Sequence, residues 1–412
     1  MYSAIEGIRA LGALSVATSH AWSTMIRELP WFHGGFLVVE MFFVLSGYLL
    51  ARHISARIQG PADAAAEIIR RFGRLYPLHL TVMFAWLAIF YGKQLVSQGL
   101  LAIGIDVGAT PVALQAPFDP GYFALNLLML HGVGIQDSDL FNFPAWSISV
   151  EFWSFAVLVS IKSVFRQARE RRIIFAVLLA LCIAHYYSIW LHEGDPVPKQ
   201  PIALKVLTRG LLAYLCGALA AELQQTINWR PRPSTIGIWQ AVLVSAIVWA
   251  VSHQTLLPMS QAYIPVLWAA VLISLSSAHG PLAWCLSRPW IAWIGKRSFA
   301  IYISHALLLL LFSRRMGMVS DPWLLLLGWA AYMGAAIALG DFLHRRIELP
   351  AFEPFRRMAA RVRLAAGRHR DHGTGGAAGA SVPGAGSAGP IAGPIAGPMP
   401  GHAALARPPT PE

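Results

Sequence analysis

The sequence predicts an all-α polytopic membrane bundle of about ten transmembrane helices. Hydrophobic residues make up 56% of the chain and charged residues 13%, with a mean hydropathy of +0.54. A soluble domain carries about 25% charged residues. Apolar runs of roughly 20 residues, long enough to cross a bilayer as a helix, recur along the 412 positions. Alternation over about ten residues, the mark of a barrel strand, is absent.

The spans fall at about 5–26, 35–55, 75–96, 144–162, 173–192, 204–222, 236–254, 261–278, 297–313 and 322–343. Between the third and fourth, the segment 121–133 reads GYFALNLLMLHGV. It is too short to cross and is expected to be re-entrant or packed against the outer face. The connection 56–74 ends in RRFGRLYP and reads as a loop, with Pro77 near the start of the next span. The connection 97–143 is rich in Gly, Pro and Asp and is expected to cap the domain or meet an acceptor.

Basic residues orient the bundle. The connections that alternation puts inside, with the tail as far as Arg370, hold 23 Lys and Arg, against 6 in those outside. Basic loops stay cytoplasmic, so both termini are expected there. The net charge of +12 is thereby a topology signal, and a nucleic-acid patch is not needed to explain it. The first apolar run has no basic lead and no small-residue cleavage site, so it reads as a retained span. Residues 1–357 form the expected membrane domain. Residues 358–412 are basic and then Gly/Ala/Pro-rich, a composition that cannot bury a core and reads as a disordered cytoplasmic tail.

Ionisable residues inside a membrane are costly, and each is a functional candidate. The first span, IEGIRALGALSVATSH, carries two, Arg9 and His20. Their spacing of eleven residues returns to nearly the same helix azimuth, about 16 Å further along. Arg9, Ala13, Val16 and His20 then make one stripe, with Gly12 beside it. Counting from the span ends puts His20, Glu40 and Glu151 in the outer third, where they can meet, with Arg209 near that level and Arg9 nearer the inner face. A histidine beside carboxylates in a water-poor site suits a general base. Packing is the competing reading for each carboxylate. It is also the competing reading for mid-span His305, for His131 and for His185. Gly12 and Ser46-Gly47 read as close helix approaches.

Other chemistries lack their signatures. Cys182, Cys216 and Cys285 have no paired spacing, so neither a disulfide framework nor a zinc site is expected. There is no Walker loop, nucleotide fingerprint or HExxH, and no GxSxG elbow. A transporter of lipid-linked sugars, a non-enzymatic alternative, also needs buried charge. The internal repeat many transporters carry is not seen.

Six segments together resemble the acyltransferase-3 family of integral membrane O-acyltransferases. IEGIRALGALSVATSHAW is similar to its first span, with Arg9 and His20 at the family's Arg-x10-His positions. GGFLVVEMFFVLSGYLLAR resembles its second, with Glu40 where Asp is commoner. RRFGRLYPLH is similar to its basic loop, and PAWSISVEFW to its WS-x-S-x-E motif, which ends on Glu151. IGKRSFAIYISH resembles a late motif, departing from it at Phe299 and Ala300, and IELPAFEPFRR its exit from the last span.

The resemblance implies transfer of an acyl group, often acetyl from acetyl-CoA, to a hydroxyl, without a metal. The acceptor is expected to be a cell-surface polysaccharide or lipid-linked glycan. A small hydroxylated product such as a macrolide sugar is the other acceptor class. Arg71 and Arg74, with Arg70 and Arg9, are expected to hold the anionic donor. His20 is expected to deprotonate the acceptor, oriented by Glu151 or Glu40, and a covalent acetyl-histidine relay stays open. The soluble hydrolase-like module that often accompanies the family is not seen, so acceptor handling would fall to the membrane domain or to glycan-assembly partners.

Overall fold

The computed structural model describes residues 2–21, 29–105, 118–135, 141–191, 202–227, 232–254, 256, 260–316 and 319–375. It is helical, and no strand occurs among the described residues. The chain opens with α1 (Tyr2–Ser19), the one-turn α2 (Pro30–His33) and α3 (Val39–Leu49). The long α4 (Pro61–Ala102), short α5 (Pro120–Leu127) and α6 (Trp146–Val164) follow. Then come α7 (Ala168–Leu191), α8 (Ile202–Thr226), α9 (Pro233–Ser252) and α10 (Ser260–Ser276). The short α11 (Pro281–Leu286) and α12 (Pro289–Lys296) lead to α13 (Ser298–Met316), α14 (Pro322–Leu343) and α15 (Leu349–Gly375). Pro30, Pro61, Pro120, Pro281, Pro289 and Pro322 sit at helix starts, where the missing N–H costs nothing. Asp119 and Asp321 cap α5 and α14 by accepting backbone N–H bonds.

Among the described residues, seven helical stretches are long and apolar enough to cross a membrane. The pair α12–α13, bent by 68°, makes an eighth if taken as one broken span. Of the ten expected spans, α1 falls outside that set, and the one on α10 is represented by a shorter apolar helix, Ala262–Ser276. The chain is an all-α integral membrane bundle. Met1–Ala366 form one compact unit. The second unit, Gly367–Glu412, is described as helix up to Gly375, and the expected disordered stretch beyond it lies outside the described residues.

One expectation changes and a second is narrowed. Residues 61–74 are the first turns of a 42-residue helix, not a loop, and Pro77 lies inside that helix. At 1.5 Å per residue α4 is about 63 Å long, twice a bilayer core, so its start extends well past the apolar run. The segment 121–133 is drawn into the bundle between α4 and α6. The Met129 carbonyl accepts from Ser149 Oγ at 2.5 Å and Trp153 Nε1 at 2.8 Å, and Tyr76 OH on α4 donates to the Leu127 carbonyl at 2.8 Å. It supplies core, since Met129 is fully buried.

Small residues set the tightest contact. A Cβ on Gly47 would lie 1.9 Å from the Tyr214 carbonyl, and one on Gly217 would lie 1.9 Å from that of Val44. The backbones of α3 and α8 therefore touch, as small residues permit in membranes. Gly12 closes similarly on Met41 and Phe42. In the Arg9–His20 stripe, Ala13 and Val16 are both 0% exposed. Ala13 packs with Ile301 and Ala336, Val16 with the main core, so side chains fill the stripe.

Candidate active site

A cavity of about 220 Å³ opens where α1, α3, α4, α6 and α13 converge. Its polar wall holds Arg9, Arg71, Arg74, Glu151, Ser46, Ser147 and Ser298, and its apolar wall includes Phe42, Phe155, Phe299 and Tyr302. Three of the four arginines expected to hold the donor thus share one space, whereas Arg70 is not on its wall and lies 3.5 Å from Glu67. Each has an acidic contact. Arg71 is bonded to Glu151, and Ser46 Oγ ties the pair by donating to Glu151 at 2.6 Å and accepting from Arg71 at 3.1 Å. Arg9 lies 3.5 Å from Glu6, and Arg74 lies 3.8 Å from Glu348. Among the described residues only one carboxylate, Glu151, lines the cavity beside three guanidinium groups, so the space favours an anion. The α12–α13 bend adds to this, because it brings Ser298 and Phe299, at the electropositive start of α13, to the wall.

The expected cluster of His20, Glu40 and Glu151 is divided among three places. Glu151 joins Arg71 at the cavity, since residue 71 sits on a helix that runs alongside α6. Glu40, 0% exposed, is bonded to Arg209 of α8. Arg209 also donates to the Phe36 carbonyl at 2.6 Å and lies over the rings of Phe36 and Trp146. Glu40 is absent from the cavity wall. Buried carboxylates seek guanidinium partners because an unpaired charge there is costly. Depth counting along a span cannot see which partner the azimuth supplies.

His20 follows the last residue of α1, is exposed, and meets His305 of α13. The Nδ1 of His20 lies 3.1 Å from Nε2 of His305, and the ring of Phe143 packs edge-on against both. His305 is 0% exposed, and its Nδ1 lies 2.6 Å from the Tyr302 carbonyl. Tyr302 joins the two places. Its ring lines the cavity, its hydroxyl bonds Ser147 Oγ at 2.8 Å, and its carbonyl holds His305. Sequence alone leaves His305 between packing and chemistry and singles out neither Tyr302 nor Ser147. The signal was present, since residues 302 and 305 are an i, i+3 pair on one helix face. His131 stacks on His79 elsewhere in the bundle, and His185 bonds Thr208. Among the described residues no group of three or more His, Cys, Asp or Glu is arranged to hold a metal ion.

Residues 2–345 match the family model described as an acyltransferase domain. BcsY of Komagataeibacter xylinus, provisionally named a membrane-bound transacylase, is 26% identical over 310 residues, covering 73% of this chain and 71% of its own. The acyltransferase MdmB of Streptomyces mycarofaciens is 26% identical, covering 77% of this chain and 80% of its own. The peptidoglycan O-acetyltransferase OatA of Listeria monocytogenes is 23% identical, and the match covers 73% of this chain but 48% of OatA, about half its length. No solved structure matches the chain. With the family model spanning nearly every element that builds the cavity and the histidine pair, the chain belongs to the acyltransferase-3 family of membrane acyltransferases.

Proposed function

We propose that this enzyme transfers an acetyl group from acetyl-CoA to a hydroxyl of a cell-surface polysaccharide or lipid-linked glycan, with His20 as general base. The observation that carries the reading is Tyr302, which borders the arginine-lined cavity on one side and holds the His305–His20 pair on the other. The cavity suits an anionic donor. Its volume, about 220 Å³, is below the 300–1,000 Å³ typical of a drug-sized ligand, so it takes only part of an acyl-CoA. Phosphates would meet Arg74, the most exposed of the three arginines at 41%, while Arg9 and Arg71 lie deeper. The acyl end would point towards Tyr302 and the histidines.

His20 is reachable by an acceptor from its exposed side. It takes the proton of the acceptor hydroxyl. The oxygen attacks the thioester carbonyl, the carbon–sulfur bond breaks, and the protonated imidazole returns its proton to the departing thiolate. The products are an O-acetyl ester and free CoA. Glu151 acts on this reading by holding Arg71, and Glu40 by clamping α3 to α8 through Arg209. The relatives' names support acyl transfer, and that of OatA supports a glycan acceptor. The basic loops support an inner membrane location with cytoplasmic termini, which puts the donor on the side where acetyl-CoA is made.

The test uses purified protein in lipid with labelled acetyl-CoA and two acceptor sets, glycans and small hydroxylated products, read by mass spectrometry. His20→Ala should lose transfer by at least about a hundredfold, the size of a general-base contribution, with folding and donor binding retained. Full activity in that variant would remove the base assignment. Label appearing only on small products would move the acceptor to that class.

A further inference from the structure

We infer that His305 is a positioning residue that sets the tautomer of His20, with the Tyr302 carbonyl as the anchor of the relay. The inference rests on the reading of His20 as the base and names the group that makes it one. A backbone carbonyl only accepts hydrogen bonds. The 2.6 Å contact of His305 Nδ1 with the Tyr302 carbonyl therefore places a proton on that nitrogen. His305 is 0% exposed, and the polar groups around its ring are backbone carbonyls of its own helix, at Tyr302 and Ile301, and the ring of His20. A buried imidazolium without a carboxylate is costly, so the ring is neutral and its Nε2 carries the lone pair.

That lone pair dictates the next proton. His20 Nδ1, at 3.1 Å, must be the donor, so the neutral ring of His20 carries its hydrogen on Nδ1. The basic nitrogen of His20 is then Nε2, on the far side of the ring from His305. The ring geometry supports an in-plane hydrogen bond. The planes lie within 11°, and the centroids are 5.3 Å apart. That separation exceeds the N···N distance by roughly the two ring radii, so the rings meet edge to edge. Phe143, edge-on to both rings at 4.9 and 5.9 Å, holds them in register.

The arrangement does what a carboxylate does in a Ser-His-Asp triad. It orients the base, selects the tautomer and accepts from the imidazolium that forms. Here the orienting group is a neutral imidazole. When His20 Nε2 takes the acceptor's proton, the Nδ1–H bond to His305 strengthens and no proton moves to His305. The same proton leaves from Nε2 with the thiolate.

The test uses full-length protein with 15N-labelled histidine in nanodiscs. His20 is assigned by comparing the wild-type spectrum with that of His20→Asn. The wild type should show His20 protonated at Nδ1 and bare at Nε2. A proton resting on Nε2 would overturn the inference, and this measurement needs no variant to be active. His305→Phe keeps a flat ring and removes the acceptor. It should shift the His20 ring nitrogens towards the other tautomer and lower kcat by roughly 10–100-fold, the usual size for outer-shell partners. The KM for acetyl-CoA should change less than about twofold. His305→Gln, which can accept from Nδ1–H, should recover most of the rate. Lost activity with an unchanged His20 tautomer in His305→Phe would overturn the inference. Full activity in His20→Ala would instead remove the base assignment while the tautomer measurement stood.

Discussion

Replacing Arg209 by methionine should destabilise the bundle far more than removing a surface ion pair. The change leaves Glu40 in place at 0% exposure with its guanidinium gone. Glu40 Oε2 already has no hydrogen-bond partner, so both carboxylate oxygens would be unpaired. Arg209 is 8% exposed, and solvent screening therefore gives little relief. Breaking a buried pair from one side costs about 3–5 kcal/mol, against about 0–1 kcal/mol for an exposed pair. The bond to the Phe36 carbonyl and the contacts with the Phe36 and Trp146 rings are lost as well. Removing both charges together should recover much of the loss, because Arg209→Met with Glu40→Met leaves no stranded ion. The assay is denaturant unfolding of detergent-purified protein, with acyl transfer measured per folded molecule. A single-variant cost below about 1 kcal/mol, or strictly additive costs in the double variant, would refute the clamp. Loss of turnover in a fully stable Glu40→Gln protein would return Glu40 to the chemistry.

The other predictions separate donor binding, packing and the tail. Arg74→Ala should weaken acetyl-CoA binding with little change in stability, since Arg74 is 41% exposed and 3.8 Å from Glu348. Arg71→Ala should weaken donor binding and stability together, because it strands Glu151. An unchanged donor titration in both variants would return the two arginines to packing and topology. Gly47→Ala should cost about 1–3 kcal/mol, because its Cβ would fall 1.9 Å from the Tyr214 carbonyl. Gly92→Ala and Gly99→Ala, in α4 with nothing within 4 Å, should be neutral or mildly stabilising in the same melts. Removing residues 371–412 should leave transfer intact, and a dead truncation would contradict the reading of that tail as dispensable.

Much of the fold was legible because it depends on one-dimensional quantities. Hydropathy over roughly 20 residues places spans without reference to neighbours. The Gly12 and Gly47 contacts were legible for a similar reason, since a missing Cβ permits a close approach, whereas Ser46 turns its hydroxyl to Glu151 and Arg71. The start of α4 was not legible. RRFGRLYP carries loop-like charge, but its residues bond to partners in other helices, Arg71 to Glu151 and Arg74 to Glu348. Those partners lie far along the chain, and composition holds no record of them.

The site was legible as an inventory. Arg9, His20, Glu40, Arg71, Arg74 and Glu151 stand out in sequence because charge and imidazole are expensive in a bilayer. Which of them meet was decided by the fold. A buried carboxylate takes whichever guanidinium helix rotation and crossing bring to it, so Glu40 went to Arg209 and Glu151 to Arg71. His20 meets His305, 285 residues away, and the hydrogen-bond direction between them depends on a carbonyl one turn back on α13. Sequence by itself determined the solvent this protein lives in and the polar groups it takes there. Only the tertiary structure decided their pairing, because pairing depends on azimuth and distance between helices, and a span's own residues specify neither.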